Sequence, residues 1–320
     1  MKRRLLSSLV FMAMMTLPLC ADCAQPKRAV DPIVSTQWLA DNMGNKSLVL
    51  LDVREPDTYS KGHIPGAVNV PGPGNFFVNL FGKETPWMEV PDKKALFATI
   101  GKAGITPNSI VVVVGRTAGD KAVYAIADAT RVAITLLYAG INNVAILDGG
   151  YDKWASEKRP TSTEPVKPNS GTYDGDEDKG MFVTKEYVEK MIGKSILVDA
   201  RSSDAYFGLT QAPWEKRGGH IPTAKSFPTP WLWNLVEDKS GVLTYGMYKD
   251  SNASKEMAST VIGKDLDKEI IVYCGVGGYA STMYFMLTQV AGYKNVKIFD
   301  GSMQVWTDDP KAPVVKYQCQ

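Results

Sequence analysis

Histidine and cysteine are nearly absent from this chain: its 320 residues hold two of the first and four of the second. His63 and His220 leave no cluster from which to build a zinc site, so no metal is expected. Two of the cysteines, Cys20 and Cys23, lie in or beside an apolar leader. The remaining pair, Cys274 and Cys319, is too few for a disulfide framework. A charge excess is also lacking. The formal net charge is +2, and setting aside Lys2, Arg3 and Arg4 from the 36 basic residues leaves 33 against 34 acidic ones. No nucleic-acid footprint survives that near-neutrality. Beyond the leader no apolar run approaches the ~20 residues of a bilayer span. With 44% hydrophobic and 22% charged residues, disorder, collagen-like repeats and coiled coil are all disfavoured. The length suits two domains.

Residues 1–24 read as a secretory signal peptide. Lys2-Arg3-Arg4 form a basic start, Leu5 to Leu19 an apolar run, and Ala21, Cys23 and Ala24 supply small residues for cleavage. The expected location is therefore exported, periplasmic. A lipid anchor on Cys20 or Cys23 would want a small residue just before it, where Leu19 and Asp22 stand instead.

The chain repeats itself at an offset of about 150 residues. Leu50-Leu51-Asp52-Val53-Arg54 returns as Leu197-Val198-Asp199-Ala200-Arg201, and Gly62-His63-Ile64-Pro65 as Gly219-His220-Ile221-Pro222. The apolar run Ile110 to Val114 pairs with Glu269 to Tyr273. Asp148-Gly149-Gly150 with Trp154 returns as Asp300-Gly301-Ser302 with Trp306. Each copy alternates short β-branched runs with longer helical stretches, which predicts an α/β fold with a parallel sheet flanked by helices. Strands are expected at Leu48–Asp52, Ile110–Val114 and Val144–Leu147, then at Ile196–Val198, Ile270–Tyr273 and Val296–Phe299. Helices are expected at Asp92–Lys102, Lys121–Tyr138 and Ala280–Ala291. The domains are read as 30–157 and 181–316, joined by a linker at 158–180 that is rich in Pro, Ser, Thr, Asp and Gly. Its acidic run, Asp174 to Asp178, reads as solvated surface.

Chemistry concentrates where the second copy's middle strand ends, at Cys274-Gly275-Val276-Gly277-Gly278-Tyr279. Ligands bind at the carboxyl ends of strands in open α/β sheets. Glycines let such a loop curl around its own cysteine, aim amide N–H groups inward and set the sulfur near a helix N-terminus. Both effects are expected to lower the thiol pKa and to hold an anion, a persulfide as well as a thiolate. Cys274 is the candidate nucleophile, with Gly275, Val276, Gly277, Gly278 and Tyr279 as its anion-binding loop. A cysteine phosphatase would want an oxyanion-clamping arginine near the loop's end, where Tyr279 stands.

In these motifs, taken in order and twice over, the chain resembles the two-domain rhodanese and 3-mercaptopyruvate sulfurtransferase family. The resemblance implies two tandem rhodanese-like domains facing each other, with the catalytic cysteine in the second. Gly115 stands where the first copy's cysteine would be, so the loop Gly115 to Asp120 carries no nucleophile. The implied activity is ping-pong transfer of sulfane sulfur from a small thiosulfate- or mercaptopyruvate-like donor, through a Cys274 persulfide, to a thiol or protein acceptor. No cofactor is implied. A second reading stays open: a carrier or partner-binding module that holds persulfide for another exported protein without turning over.

The resemblance weakens around the loop. Thiosulfate enzymes of the family carry cations after the cysteine, where Gly275 and Val276 are neutral. The mercaptopyruvate branch has a serine at the place of Val276, used with an aspartate and a histidine that Asp52 and His63 match in spacing. Ala205 replaces an expected substrate-binding arginine, for which Lys216 or Arg217 could substitute. Arg201 is the arginine expected to face the site, whereas Arg54 and both histidines read more simply as structural. Trp214, Trp231, Trp233, Tyr245 and Tyr248 could wall a pocket or merely pack. An exported branch that departs from both named enzymes is the expectation.

Overall fold

The computed structural model describes residues 28–78, 87–119 and 122–319. The leader read at 1–24 and the first residue of the helix expected from Lys121 lie outside them.

Two five-stranded sheets form, each wholly parallel and wound in the same order. The first is built from β1 (Ile33–Val34), β2 (Leu48–Asp52), β3 (Val68–Asn69), β4 (Ile110–Val114) and β5 (Val144–Leu147), in the order β1-β5-β4-β2-β3. The second uses β6 (Phe182–Val183), β7 (Ile196–Asp199), β8 (Lys225–Ser226), β11 (Ile270–Tyr273) and β12 (Val296–Phe299), in the order β6-β12-β11-β7-β8. Their central strands, Ile-Val-Val-Val-Val and Ile-Ile-Val-Tyr, are buried because helices cover both faces. All six strands expected from the sequence are present, the one at Ile196 extending to Asp199.

The repeated motifs are the fasteners of each domain. Asp52 receives Arg54 Nη2 at 2.6 Å, and that guanidinium also donates to the Gly62 carbonyl at 2.9 Å. Asp199, Arg201 and the Gly219 carbonyl repeat the arrangement at 2.6 Å for each contact. Trp154 Nε1 donates to Pro160 O at 2.8 Å and Trp306 Nε1 to Pro313 O at 2.9 Å, both rings fully buried.

A hairpin, β9 (Trp233–Glu237) and β10 (Leu243–Tyr248), is added to the second copy. It grips the first domain: Tyr248 N–H donates to Asp148 Oδ1 at 2.9 Å and Tyr248 Oη to Ile126 O at 3.3 Å. Between the domains, helix Ala122–Tyr138 packs on helix Gly278–Phe285. Thr130 and Thr282 share a hydroxyl hydrogen bond of 2.6 Å there. Arg131, fully buried, meets Asp300 bidentately at 2.5 and 3.0 Å. Segment 158–180 runs back along the first domain, where Gly171 N–H donates to Gly101 O at 2.9 Å and Tyr173 Oη to Ala139 O at 2.5 Å.

One helix differs from its sequence reading. Instead of a uniform helix over Ala280–Ala291, an α-helix Gly278–Phe285 passes into a π-helical turn, Met286–Ala291, closed by Gly292 at φ 87°. Apolar spacing over six residues cannot separate the two periods, because both keep Met286 and Leu287 buried.

Candidate active site

Cys274 follows the last residue of β11, and helix Gly278–Phe285 begins four positions later. The loop between them is tied down from the repeated Asp-Gly segment. Cys274 N–H donates to Ser302 Oγ at 3.1 Å, and that hydroxyl donates to Phe299 O at 3.0 Å. Met303 and Gln304 N–H, at the start of helix Ser302–Asp308, hold the Cys274 and Gly275 carbonyls, each at 3.0 Å. Ser302 sits at φ 49°, a left-handed conformation that a serine adopts only when its surroundings enforce it. Sequence reasoning noticed the Asp-Gly repeat but missed this role, which only the fold reveals.

Gly277 takes φ 100° and turns its N–H onto Cys274 Sγ at 3.1 Å. A Cβ on Gly277 would stand 3.0 Å from Asp300 Oδ1, a tight contact added to a backbone conformation that already favours glycine. The expected curl of amides around the sulfur is therefore present. Its expected electrostatic result is not. Burial pushes the Cys274 thiol above its ordinary value, against the opposing pull of the Ala280, Val276 and Gly277 amides and the Ser302 hydroxyl. Cys274 is only 3% exposed, and desolvation of the anion outweighs the dipoles aimed at it. The resting group is the thiol. Alkylation of Cys274 by iodoacetamide, followed by peptide mass, should accordingly rise with pH to a midpoint above ~8.5, the unperturbed thiol value. A midpoint below neutrality would show that the amides win.

Among its described residues the first copy has no such site. A Cβ at Gly115 would lie 2.9 Å from the Ala129 Cβ, and Tyr151 N–H occupies the Gly115 carbonyl at 3.0 Å.

Cys274 opens into a cleft of ≈ 540 Å³ between the domains. Gly275, Val276, Gly278 and Tyr279 line it with the cysteine, and the first domain contributes Phe77, Trp87, Met88, Tyr124 and Asp128. Two aromatic pairs wall it: Trp87 and Trp214, edge to face at 5.4 Å, and Tyr124 and Tyr279, stacked at 5.9 Å. Of the aromatic residues singled out after the second Asp-x-Arg, Trp214 lines the cleft. Trp233 backs Tyr279 at 5.7 Å, Trp231 packs beside Phe227, and Tyr245 and Tyr248 belong to the hairpin.

Several expected site residues are elsewhere. Arg201 does reach the cleft, but its guanidinium is committed to Asp199, to the Gly219 carbonyl and, at 3.1 Å, to Glu215. Arg217 donates to the Ala312 and Asp309 carbonyls at 2.8 and 2.7 Å, anchoring the C-terminal segment. Lys216 is exposed, its backbone N–H meets Thr307 Oγ1 at 2.9 Å, and neither it nor Arg217 is among the described residues lining the cleft. Asp52 is sealed against Arg54. His63 is fully buried, stacked on Tyr59 at 3.9 Å, its ring nitrogens 3.2 and 3.1 Å from the Tyr59 and Glu164 carbonyls. Spacing matched the Asp52–His63 pair to a catalytic one, but both side chains close turns inside the first domain. His220 repeats that role, stacked on Tyr206 at 3.7 Å with Nδ1 2.8 Å from the Tyr206 carbonyl. Cys319 is exposed and is not among the described residues lining the cleft.

Asp128 is among the lining residues that the sequence did not disclose, with Trp87, Tyr124 and Glu215. Burial, reinforced by the negative charge of Glu55, pushes the Asp128 carboxyl up to about 7. The signal available was an acid one turn beyond Tyr124 in a helix whose one other charged residue is Arg131.

Comparison with known proteins places these features. Residues 35–157 and 184–309 each match the rhodanese-like domain. A "Putative thiosulfate sulfurtransferase" of Synechococcus elongatus is 30% identical over 88% of this chain and 83% of its own length. "Sulfur carrier protein TtuD" of Thermus thermophilus is 29% identical over 89% and 96%, respectively. Among solved structures, YnjE superposes with a TM-score of 0.70 at 25% identity, covering 90% of this chain and 71% of that one. The anaerobic ergothioneine biosynthesis enzyme of Chlorobium limicola shares the fold, with a TM-score of 0.70 at 19% identity over 90% and 70%.

Proposed function

Because the chain belongs to the rhodanese-domain family, carrying two such domains in tandem, we propose that it moves sulfane sulfur through Cys274. The observation that carries this reading is the Gly277 amide on Cys274 Sγ within a loop fixed by Ser302, Met303 and Gln304. In the first step Cys274 loses its proton to solvent as the donor enters. The thiolate attacks the donor's outer sulfur, a new S–S bond forms, and the donor's own S–S or C–S bond breaks. Its electron pair leaves with the departing group, sulfite if the donor is thiosulfate. The amides of Val276, Gly277 and Ala280 hold the resulting persulfide anion. In the second step a nucleophile such as cyanide or a thiol takes the outer sulfur and returns the Cys274 thiolate. The basic, apolar start of the sequence supports action outside the cytoplasm, in a periplasm.

The test is intact mass before and after exposure to thiosulfate or 3-mercaptopyruvate. A gain of one sulfur atom (about 32 Da), removed by cyanide with release of thiocyanate, is the expected covalent intermediate. No gain with either donor, over a range of pH, would overturn the assignment. A specific observation also favours the carrier reading. Among the described lining residues the one cationic side chain, Arg201, is already paired, so nothing is left to clamp an anionic donor. Persulfide that forms on Cys274 and persists, with no steady-state turnover of thiosulfate or 3-mercaptopyruvate, would select that reading.

A further inference from the structure

Among the described lining residues the one carboxyl or basic group outside an ion pair is an acid, Asp128, the opposite of what an anionic donor needs. Asp128 and Glu215 line it together with Arg201, whose charge is shared between Asp199 and Glu215. Asp128 has no such partner among the described residues, and Glu55 adds further negative potential to it. The remaining walls are apolar and aromatic, with Trp87, Trp214, Tyr124 and Tyr279 arranged as two ring pairs. Ring faces are electron-rich, and a cation within about 6 Å of a ring centre is attracted to them, most strongly where water is excluded. The Asp128 carboxyl, pushed up to about 7, gives up its proton most readily when a cation is seated against those faces, and the ionised carboxylate then balances it. The partial positive charge of the helix N-terminus is taken up by the sulfur of Cys274, on which Gly277 N–H is already spent.

We propose that the small-molecule reactant seated beside Cys274 is a compact organic cation, held against the aromatic walls of the cleft and balanced by Asp128. This rests on the sulfur-transfer reading for the word reactant, but the binding itself is measurable without turnover. A molecule the size of a methylated ammonium with a short polar arm fits the ≈ 540 Å³ available. Asp128 discriminates against anions by repulsion and favours the cation by attraction, so its removal moves the two in opposite directions.

The test pairs choline with 3,3-dimethylbutan-1-ol, which has the same shape without the charge, in calorimetric titrations of the wild-type protein. Choline is expected to bind at least ~10-fold more tightly. Asp128→Asn should erase most of that preference while lowering the thiosulfate concentration that half-saturates persulfide formation. Equal affinity for the two isosteres on the wild-type chain would overturn the proposal, as would an Asp128→Asn variant that weakens choline and thiosulfate alike. Persulfide mass distinguishes this failure from that of the underlying reading: sulfur loading with no choline preference sinks only the cation, and choline preference with no loading sinks only the sulfur transfer.

Discussion

Cys274→Ser is expected to abolish sulfur transfer, by at least about a thousandfold, while leaving the far-UV spectrum unchanged. The prediction follows from the chemistry of the position. A serine oxygen cannot accept and release a sulfane sulfur, and no neighbouring nucleophile stands in, because the described lining holds one cysteine. The fold should tolerate the change. Serine has nearly the same shape, and its hydroxyl can accept the Gly277 N–H that now meets Sγ at 3.1 Å. The measurements are thiocyanate release with cyanide as acceptor, and intact mass after donor exposure. Residual activity within tenfold of wild type would move the reaction away from the loop. Cys319→Ser, by contrast, should leave turnover intact.

Arg131→Met is the second large effect, and it acts on stability. Arg131 is fully buried between the domains, and its two Nη atoms reach the two oxygens of Asp300. Removing one member of a buried pair strands the other without a counterion, which costs roughly 3–5 kcal/mol. Asp300 also accepts from Val90 N–H at 2.9 Å and lies against Gly277, so the stranded carboxylate would disturb both the domain contact and the nucleophile loop. Combining Arg131→Met with Asp300→Asn should cost less than the two single changes added together, since the double variant buries no lone charge. Chemical denaturation of the four proteins gives the answer. A single Arg131→Met variant within 1 kcal/mol of wild type, a margin set by an exposed pair, would mean that this contact holds nothing.

The sequence disclosed the sheets because their strands are buried on both faces and read as unbroken β-branched runs. Repetition did the rest, since a doubled order of Asp-x-Arg, Gly-His-Ile-Pro and Asp-Gly leaves little freedom in topology. The nucleophile loop was legible for the same kind of reason: glycines clustered at a strand end have few other uses. Side chains that act across the interface were not. Asp128, Trp87 and Arg131 come from the first domain, and only the docking of the helices brings them beside Cys274 or Asp300. The spacing argument for Asp52 and His63 failed because one-dimensional distance says nothing about which way a turn faces. Expectation and structure also parted on the acidity of Cys274. The amides were foreseen, but the depth at which the loop buries its sulfur is a property of the closed interface.

The close approach of Gly115 to Ala129 bears on how the doubled chain can change. Gene duplication leaves a spare copy, and a single substitution is the simplest way to revive one. Here the position corresponding to the nucleophile is pressed against a helix turn, at a distance that no side chain tolerates. Installing a thiol there would first require that helix to give way by a few tenths of an ångström, and the same helix carries Tyr124, Asp128 and Arg131. The silent half cannot become a second workshop without disturbing the wall of the first.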